Sequence, residues 1–166
     1  MKRKEFLPDF VYGSIDGIIT TFAVVAGVEG GRLSSLVILV LGISNLLADG
    51  FSMGVSKYLS DTVDSNSKQK KLAALKGGIV TFVAFILLGS IPLLVYILNA
   101  LFGFFDQTFF WACIFTSLAL ILVGYLKTMF VKEGRVQAIA ETLLLGGVAA
   151  LISYYVGYLM QYYFGV

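Results

Sequence analysis

Three side chains that could bind a metal lie four residues apart in an otherwise apolar segment. They are Asn45, Asp49 and Met53, in the stretch SNLLADGFSMGVSKYLS. Side chains four residues apart fall on the same face of an α-helix. A carboxylate, an amide and a thioether offer mixed oxygen and sulfur ligands, which suit a borderline divalent metal such as Fe²⁺ or Mn²⁺ and are unusual for Mg²⁺ or Ca²⁺. The stripe therefore predicts a transition-metal site.

Two further acids, Asp16 and Glu141, lie in apolar segments at a similar depth. Counted from the expected span ends on one side, Asp16 lies ~9 Å deep, Asp49 ~10 Å and Glu141 ~8 Å. A carboxylate at the centre of a spanning helix costs at least ~2.5 kcal/mol on insertion scales, so a retained one usually faces protein or a water-filled path. Because neither of the first two spans has a basic residue at that depth, we expect Asp16 and Asp49 to be functional. Glu141 is equally well explained by an ion pair with Lys127.

The composition indicates which elements must position these residues. Of the 166 residues, 58% are hydrophobic and 13% are charged, about half the roughly 25% charge of a soluble domain. The chain is predicted to be an all-α integral membrane protein, with one transmembrane domain over residues 1–166. Hydropathy predicts five spans, over residues 10–28, 34–56, 77–98, 109–130 and 136–164. The polar segment 57–76 is predicted to be a loop.

The basic residues predict the orientation in the membrane. All but one of the 12 Lys and Arg residues lie in the N-terminal segment or in the second and fourth connections, and the exception is Arg32. By the positive-inside rule the N-terminus is cytosolic and the C-terminus is outside. We expect the first span to be retained and not cleaved as a signal peptide, because Pro8 and Asp16 interrupt its apolar run. The expected location is a prokaryotic cell membrane.

Other residue types narrow the function. The chain has no histidine and one cysteine, Cys113, which argues against a tight zinc or copper site. Weak ligation suits transport, and acids that bind a metal can also bind protons, so we expect metal to exchange for protons. No catalytic or cofactor motif is visible, so neither an enzyme nor a permanently bound cofactor is expected, and no nucleic acid partner is needed to explain the basic residues. The alternative is a non-transporting scaffold or subunit whose membrane acids are structural.

Acids near the span ends are expected to be surface residues. They include Asp61 and Asp64 in the second connection and Glu29 at the first turn, and polar turns favour such residues without any metal. Glu29 is nevertheless the acid placed to meet an ion leaving on the outer side. Glycines also flank the two membrane aspartates, in GSIDG and GFSMG. Such patterns let helices approach closely, so we expect the first two helices to bring their acids to one ion.

Three segments resemble the signature segments of the vacuolar iron transporter family: DGIITTFAVVAGVEGGRLSS, LGISNLLADGFSMGVSKYLS and ETLLLGGVAALISYYVG. The resemblance implies a five-helix protein, a homodimer, that moves Fe²⁺ or Mn²⁺ out of the cytosol in exchange for protons. It implies that Asp16 and Met53 line the path. With the glycines, it also leads us to expect the first two helices near a two-fold axis, where Gly17→Leu would weaken dimerisation.

Two features depart from the vacuolar members of that family. Those members carry a large cytosolic helical segment between the second and third helices, whereas this chain has only the short basic segment 57–76. They also tend to have a glutamate where this chain has Asn45. In this chain the acid lies one helical turn later, at Asp49. The resemblance therefore implies that the soluble metal-collecting site is absent here.

Overall fold

The computed structural model describes residues 6–63 and 67–165. These residues form six α-helices, of which all but the fourth are long and apolar enough to cross a membrane. The predicted all-α membrane fold with five spans is therefore confirmed. The helices are α1 Leu7–Gly30, α2 Ser35–Thr62, α3 Lys68–Gly89, α4 Ile91–Phe102, α5 Thr108–Lys127 and α6 Arg135–Phe164.

Helix α1 is the central helix. It packs most extensively against α3 and α6, and it also contacts α2, α4 and α5. Two apolar clusters surround it, one that includes Phe22 and Phe85 and one that includes Ile18 and Leu120. In contrast, α6 is mostly exposed along its length, which is the pattern of a helix that faces lipid. The fold thus places α1 at the centre of the protomer, with Asp16 partly buried.

The third predicted span, 77–98, consists of the end of α3 and most of α4. The Ser90 backbone between them keeps helical angles, with φ −71° and ψ −18°, and the Leu94 N–H still donates to the Ser90 carbonyl oxygen at 2.9 Å. The break between α3 and α4 is therefore confined to Ser90. Pro92 explains the break, because proline lacks the N–H that would donate to the Leu88 carbonyl oxygen in a continuous helix, whereas proline is accepted in the first turn of a new helix.

The polar segment 57–76 is mostly helical, so the prediction of a loop is wrong. Helix α2 continues to Thr62 and α3 begins at Lys68, which leaves only residues 63–67 between them. Asp64 lies outside the described residues. The prediction failed because hydropathy marks where a helix leaves the apolar layer, whereas backbone hydrogen bonds continue into water for as long as the residues favour a helix.

Candidate metal site

Asp16 on α1 and Asp49 on α2 are brought together. Both are partly buried, and the two carboxylates lie within the range over which charges influence each other. All four ion pairs found among the described residues involve Lys57 or Lys127, so neither aspartate has a basic partner there. Two adjacent carboxylates with no basic partner attract a cation strongly where water is scarce.

Close packing on α3 holds the two aspartates in place. A Cβ atom added to Gly17 would lie 2.5 Å from the Phe85 carbonyl oxygen, and one added to Gly54 would lie 2.9 Å from the Gly78 carbonyl oxygen. Gly17, next to Asp16, and Gly54, at the end of the GFSMG pattern, therefore let α1 and α2 pack closely against α3. Gly17 faces α3 of its own protomer, so the direct effect of Gly17→Leu falls on the packing of α1 against α3, and its effect on dimerisation stays a prediction.

The stripe on α2 has the geometry expected from its spacing. Asn45, Asp49 and Met53 are all partly buried, whereas Ser52 on the neighbouring face is exposed. Met53 also packs against the apolar cluster that contains Phe85, so its thioether belongs both to the packing and to the stripe. A thioether one turn from a carboxylate gives a cation a soft ligand beside a hard one.

Glu141 belongs to a different cluster. Its carboxylate accepts hydrogen bonds from Lys127 Nζ at 2.7 Å and from Gln137 Nε2 at 3.2 Å, and Lys127 also pairs with Glu133 at 2.9 Å. The described residues contain no group of three or more His, Cys, Asp or Glu side chains able to hold a metal. The layer of three acids predicted from depth therefore divides into the Asp16–Asp49 pair and a Glu141–Lys127 ion pair.

This division predicts a mild effect for Glu141→Gln. The substitution removes an ion pair whose glutamate side chain is 42% exposed, and such exposed pairs contribute little to stability. We expect metal flux and thermal stability close to those of the unsubstituted protein. Flux into proteoliposomes and the melting temperature check this, with Lys127→Gln as the matched variant on the other side of the pair. Loss of flux in Glu141→Gln alone would place Glu141 in the metal path.

The structure adds an acid that the sequence analysis did not single out. Asp9 lies at the start of α1 and pairs with Lys57 of α2 at 3.3 Å, while Lys57 also pairs with Asp61 at 2.6 Å. Asp9 and Asp16 are seven residues apart, which is two helical turns, and this spacing could have identified Asp9 from the sequence. Asp9 therefore lies on the same side of α1 as Asp16, at the predicted cytosolic end, and links the ends of α1 and α2.

Comparisons with known proteins give a consistent result. The sequence model of the VIT family matches residues 7–77 and 61–158. The vacuolar iron transporter of Toxoplasma gondii is 27% identical over 226 positions, covering 95% of this chain and 75% of that protein. The Plasmodium falciparum vacuolar iron transporter is 24% identical over 227 positions, covering 95% and 83%. Vacuolar iron transporter 1 of Arabidopsis thaliana is 38% identical over 56 positions, covering 34% and 22%.

The alignments also show a difference in length. Those with the Toxoplasma and Plasmodium proteins extend over more positions than this chain has residues. Those relatives therefore carry additional residues. The two matches to the family overlap at 61–77, which is the region where α2 ends and α3 begins. This agrees with the short α2–α3 connection of this chain.

Proposed function

This chain belongs to the VIT family, and from that membership and its paired acids we propose that it transports Fe²⁺ or Mn²⁺ out of the cytosol. The observation that carries the proposal is the Asp16–Asp49 pair, two partly buried carboxylates within electrostatic range of each other that have no basic partner among the described residues. The name vacuolar iron transporter on the matched relatives supports a metal ion as the cargo.

Proton exchange follows from the same pair. A divalent cation between Asp16 and Asp49 neutralises two negative charges that otherwise repel each other. Protons that bind the same oxygens remove the attraction, so the cation leaves as the acids become protonated on the more acidic side. Met53 adds one weak ligand, which favours a transition metal without holding it too firmly to leave.

A homodimer is part of the proposal. Asp16 and Asp49 remain partly exposed in one protomer, and Tyr12, one helical turn before Asp16, is 61% exposed. A second copy against this face would close the path away from lipid, where uncompensated charge is costly. The mass of the protein in lipid nanodiscs, measured by light scattering, tests this part.

Flux measurements in proteoliposomes test the transport itself. Vesicles with an acidic lumen carry one dye for metal and one for pH, and Fe²⁺ or Mn²⁺ is added outside. We expect metal to enter and lumenal pH to rise together. Metal entry without the pH change would reject proton exchange, and no entry beyond that of protein-free vesicles would reject transport and favour the scaffold.

Replacing Met53 with leucine should change metal choice more than it changes the fold. Leucine keeps similar volume and apolarity, and such swaps usually cost less than ~1.5 kcal/mol. Only the thioether is lost, so flux of Fe²⁺, the softer ion, should fall more than flux of Mn²⁺. Flux from equal mixtures of the two ions gives the ratio directly. An unchanged ratio would mean that Met53 only packs.

A further inference from the structure

A second polar site lies at the other end of α1. There the Tyr96 hydroxyl donates a hydrogen bond to Glu29 Oε1 at 2.6 Å. Tyr96 lies on α4 and is only 1% exposed, so it fixes the position of the carboxylate. The second oxygen, Oε2, accepts no hydrogen bond from the described residues and is not among their buried unpaired atoms. One oxygen of Glu29 is thus anchored while the other is available to a ligand.

Glu29 faces an open cavity of about 370 Å³, which we call the Glu29 cavity. Its volume is many times the ~30 Å³ share of one water molecule, so a cation with several waters fits. The polar lining groups are a carboxylate, two hydroxyls and an amide, all of which can offer oxygen to a cation. The lining residues are Glu29, Ser35, Gln107, Thr108, Phe109 and Phe110.

Helix α4 organises two sides of this cavity. Asn99, one turn after Tyr96, donates from Nδ2 to Thr108 Oγ1 at 2.9 Å, and its Oδ1 accepts the Phe105 N–H at 2.9 Å. The first bond fixes a lining residue, and the second fixes the loop that leads to it. The polar residues of α4 therefore hold Glu29 and Thr108 in place before any ligand arrives, which lowers the cost of ordering a site.

We propose that the Glu29 cavity is a second cation site, where Glu29 Oε2 and the neighbouring oxygens hold a hydrated divalent cation at the predicted non-cytosolic end. A set of oxygen donors favours harder ions such as Mn²⁺ over softer ones, in contrast to the stripe with Met53. The role of this site as the last one that an exported ion occupies before release rests on the proposed transport function. The binding itself does not.

The only tryptophan of the chain provides a local probe. Trp111 lies on α5 with its ring 6.0 Å from that of Phe110, a lining residue. Tb³⁺ prefers oxygen ligands and emits when energy is transferred from a nearby indole. The full chain in nanodiscs of neutral lipid is titrated with Tb³⁺, exciting tryptophan alone, and Mn²⁺ is then added as a competitor. We expect saturable emission that Mn²⁺ removes.

Three variants test whether the Tb³⁺ emission comes from the Glu29 cavity. Glu29→Gln keeps an acceptor for Tyr96 but removes the charge, and should weaken Tb³⁺ binding by about tenfold or more. Tyr96→Phe removes the hydrogen bond that positions the Glu29 carboxylate. It should weaken Tb³⁺ binding by about tenfold, as loss of a positioning residue does. Asp106→Asn removes an exposed acid of the neighbouring loop that does not line the cavity, and should change nothing.

Three results would overturn the site. They are unchanged binding in Glu29→Gln, an equal loss in Asp106→Asn, which would indicate diffuse surface charge, and failure of Mn²⁺ to compete. The same titration in Asp16→Asn/Asp49→Asn should still give the signal. Because that measurement involves no flux, its failure and the failure of the transport proposal are distinguishable.

Discussion

The substitutions Asp16→Asn and Asp49→Asn should each abolish metal flux and the coupled change in lumenal pH. Each change removes one of two partly buried negative charges and one proton-binding group while keeping nearly the same shape. The remaining carboxylate can neither balance a divalent ion nor exchange it for two protons. We expect flux at least a hundredfold lower, and a hundredfold change corresponds to about 2.7 kcal/mol.

The stability of these variants separates function from structure. Asp16 and Asp49 repel each other in partly buried positions, without a basic partner among the described residues. Replacing one with a neutral amide removes that repulsion, so the melting temperature should stay the same or rise. If either acid were paired for structure, its removal would leave a buried charge unpaired and lower the melting temperature. Lost transport with retained stability is the expected signature of a binding site.

Asp106→Asn provides the matched control, because it makes the same chemical change at an exposed position outside the path. It should transport normally. Each variant is first checked by gel filtration to show that it elutes as the folded species. If the double variant Asp16→Asn/Asp49→Asn keeps full activity, the pair has no role in transport and the scaffold hypothesis regains support.

Local sequence patterns predicted which residues share a helix face, but not which helices or residues contact each other. The stripe on α2 depends only on helical spacing, so Asn45, Asp49 and Met53 fall on one face as the sequence predicts. A glycine pattern does not show which helix packs against it. The motifs around Asp16 and Asp49 predict close helix packing, but α3 as the shared partner emerges only in three dimensions. The Glu29–Tyr96 bond joins residues 67 positions apart, and no periodic pattern encodes such a pair.

The same limit explains the break between α3 and α4 and the Glu141–Lys127 ion pair. A hydropathy window averages over many residues, so it treats 77–98 as one span although Pro92, in the first turn of α4, marks the break in the sequence. For Glu141, depth alone could not decide between metal and Lys127. The decision depends on the direction of the Lys127 side chain, which reaches the carboxylate at 2.7 Å. Depth predicts which residues share a layer, and packing decides which of them meet.

Gly17→Leu should prevent the protomer from folding, which is a larger effect than weakened dimerisation. Even a single Cβ atom at this position would lie 2.5 Å from the Phe85 carbonyl oxygen and 2.9 Å from its Cα atom. Both are backbone atoms that cannot rotate away, so α1 and α3 must separate. The cost should exceed the ~1–3 kcal/mol of ordinary overpacking, and separation would also move Asp16 away from Asp49.

Gly147→Leu is the matched control for that substitution. Gly147 lies on α6, is exposed, and a Cβ atom there would meet nothing within 4 Å, so the same side chain should be accepted. Helix content by circular dichroism, melting temperature and the fraction that elutes as the folded species should fall sharply for Gly17→Leu and stay unchanged for Gly147→Leu. A folded Gly17→Leu monomer with normal melting would contradict the packing of α1 on α3 and return Gly17 to an interface between copies.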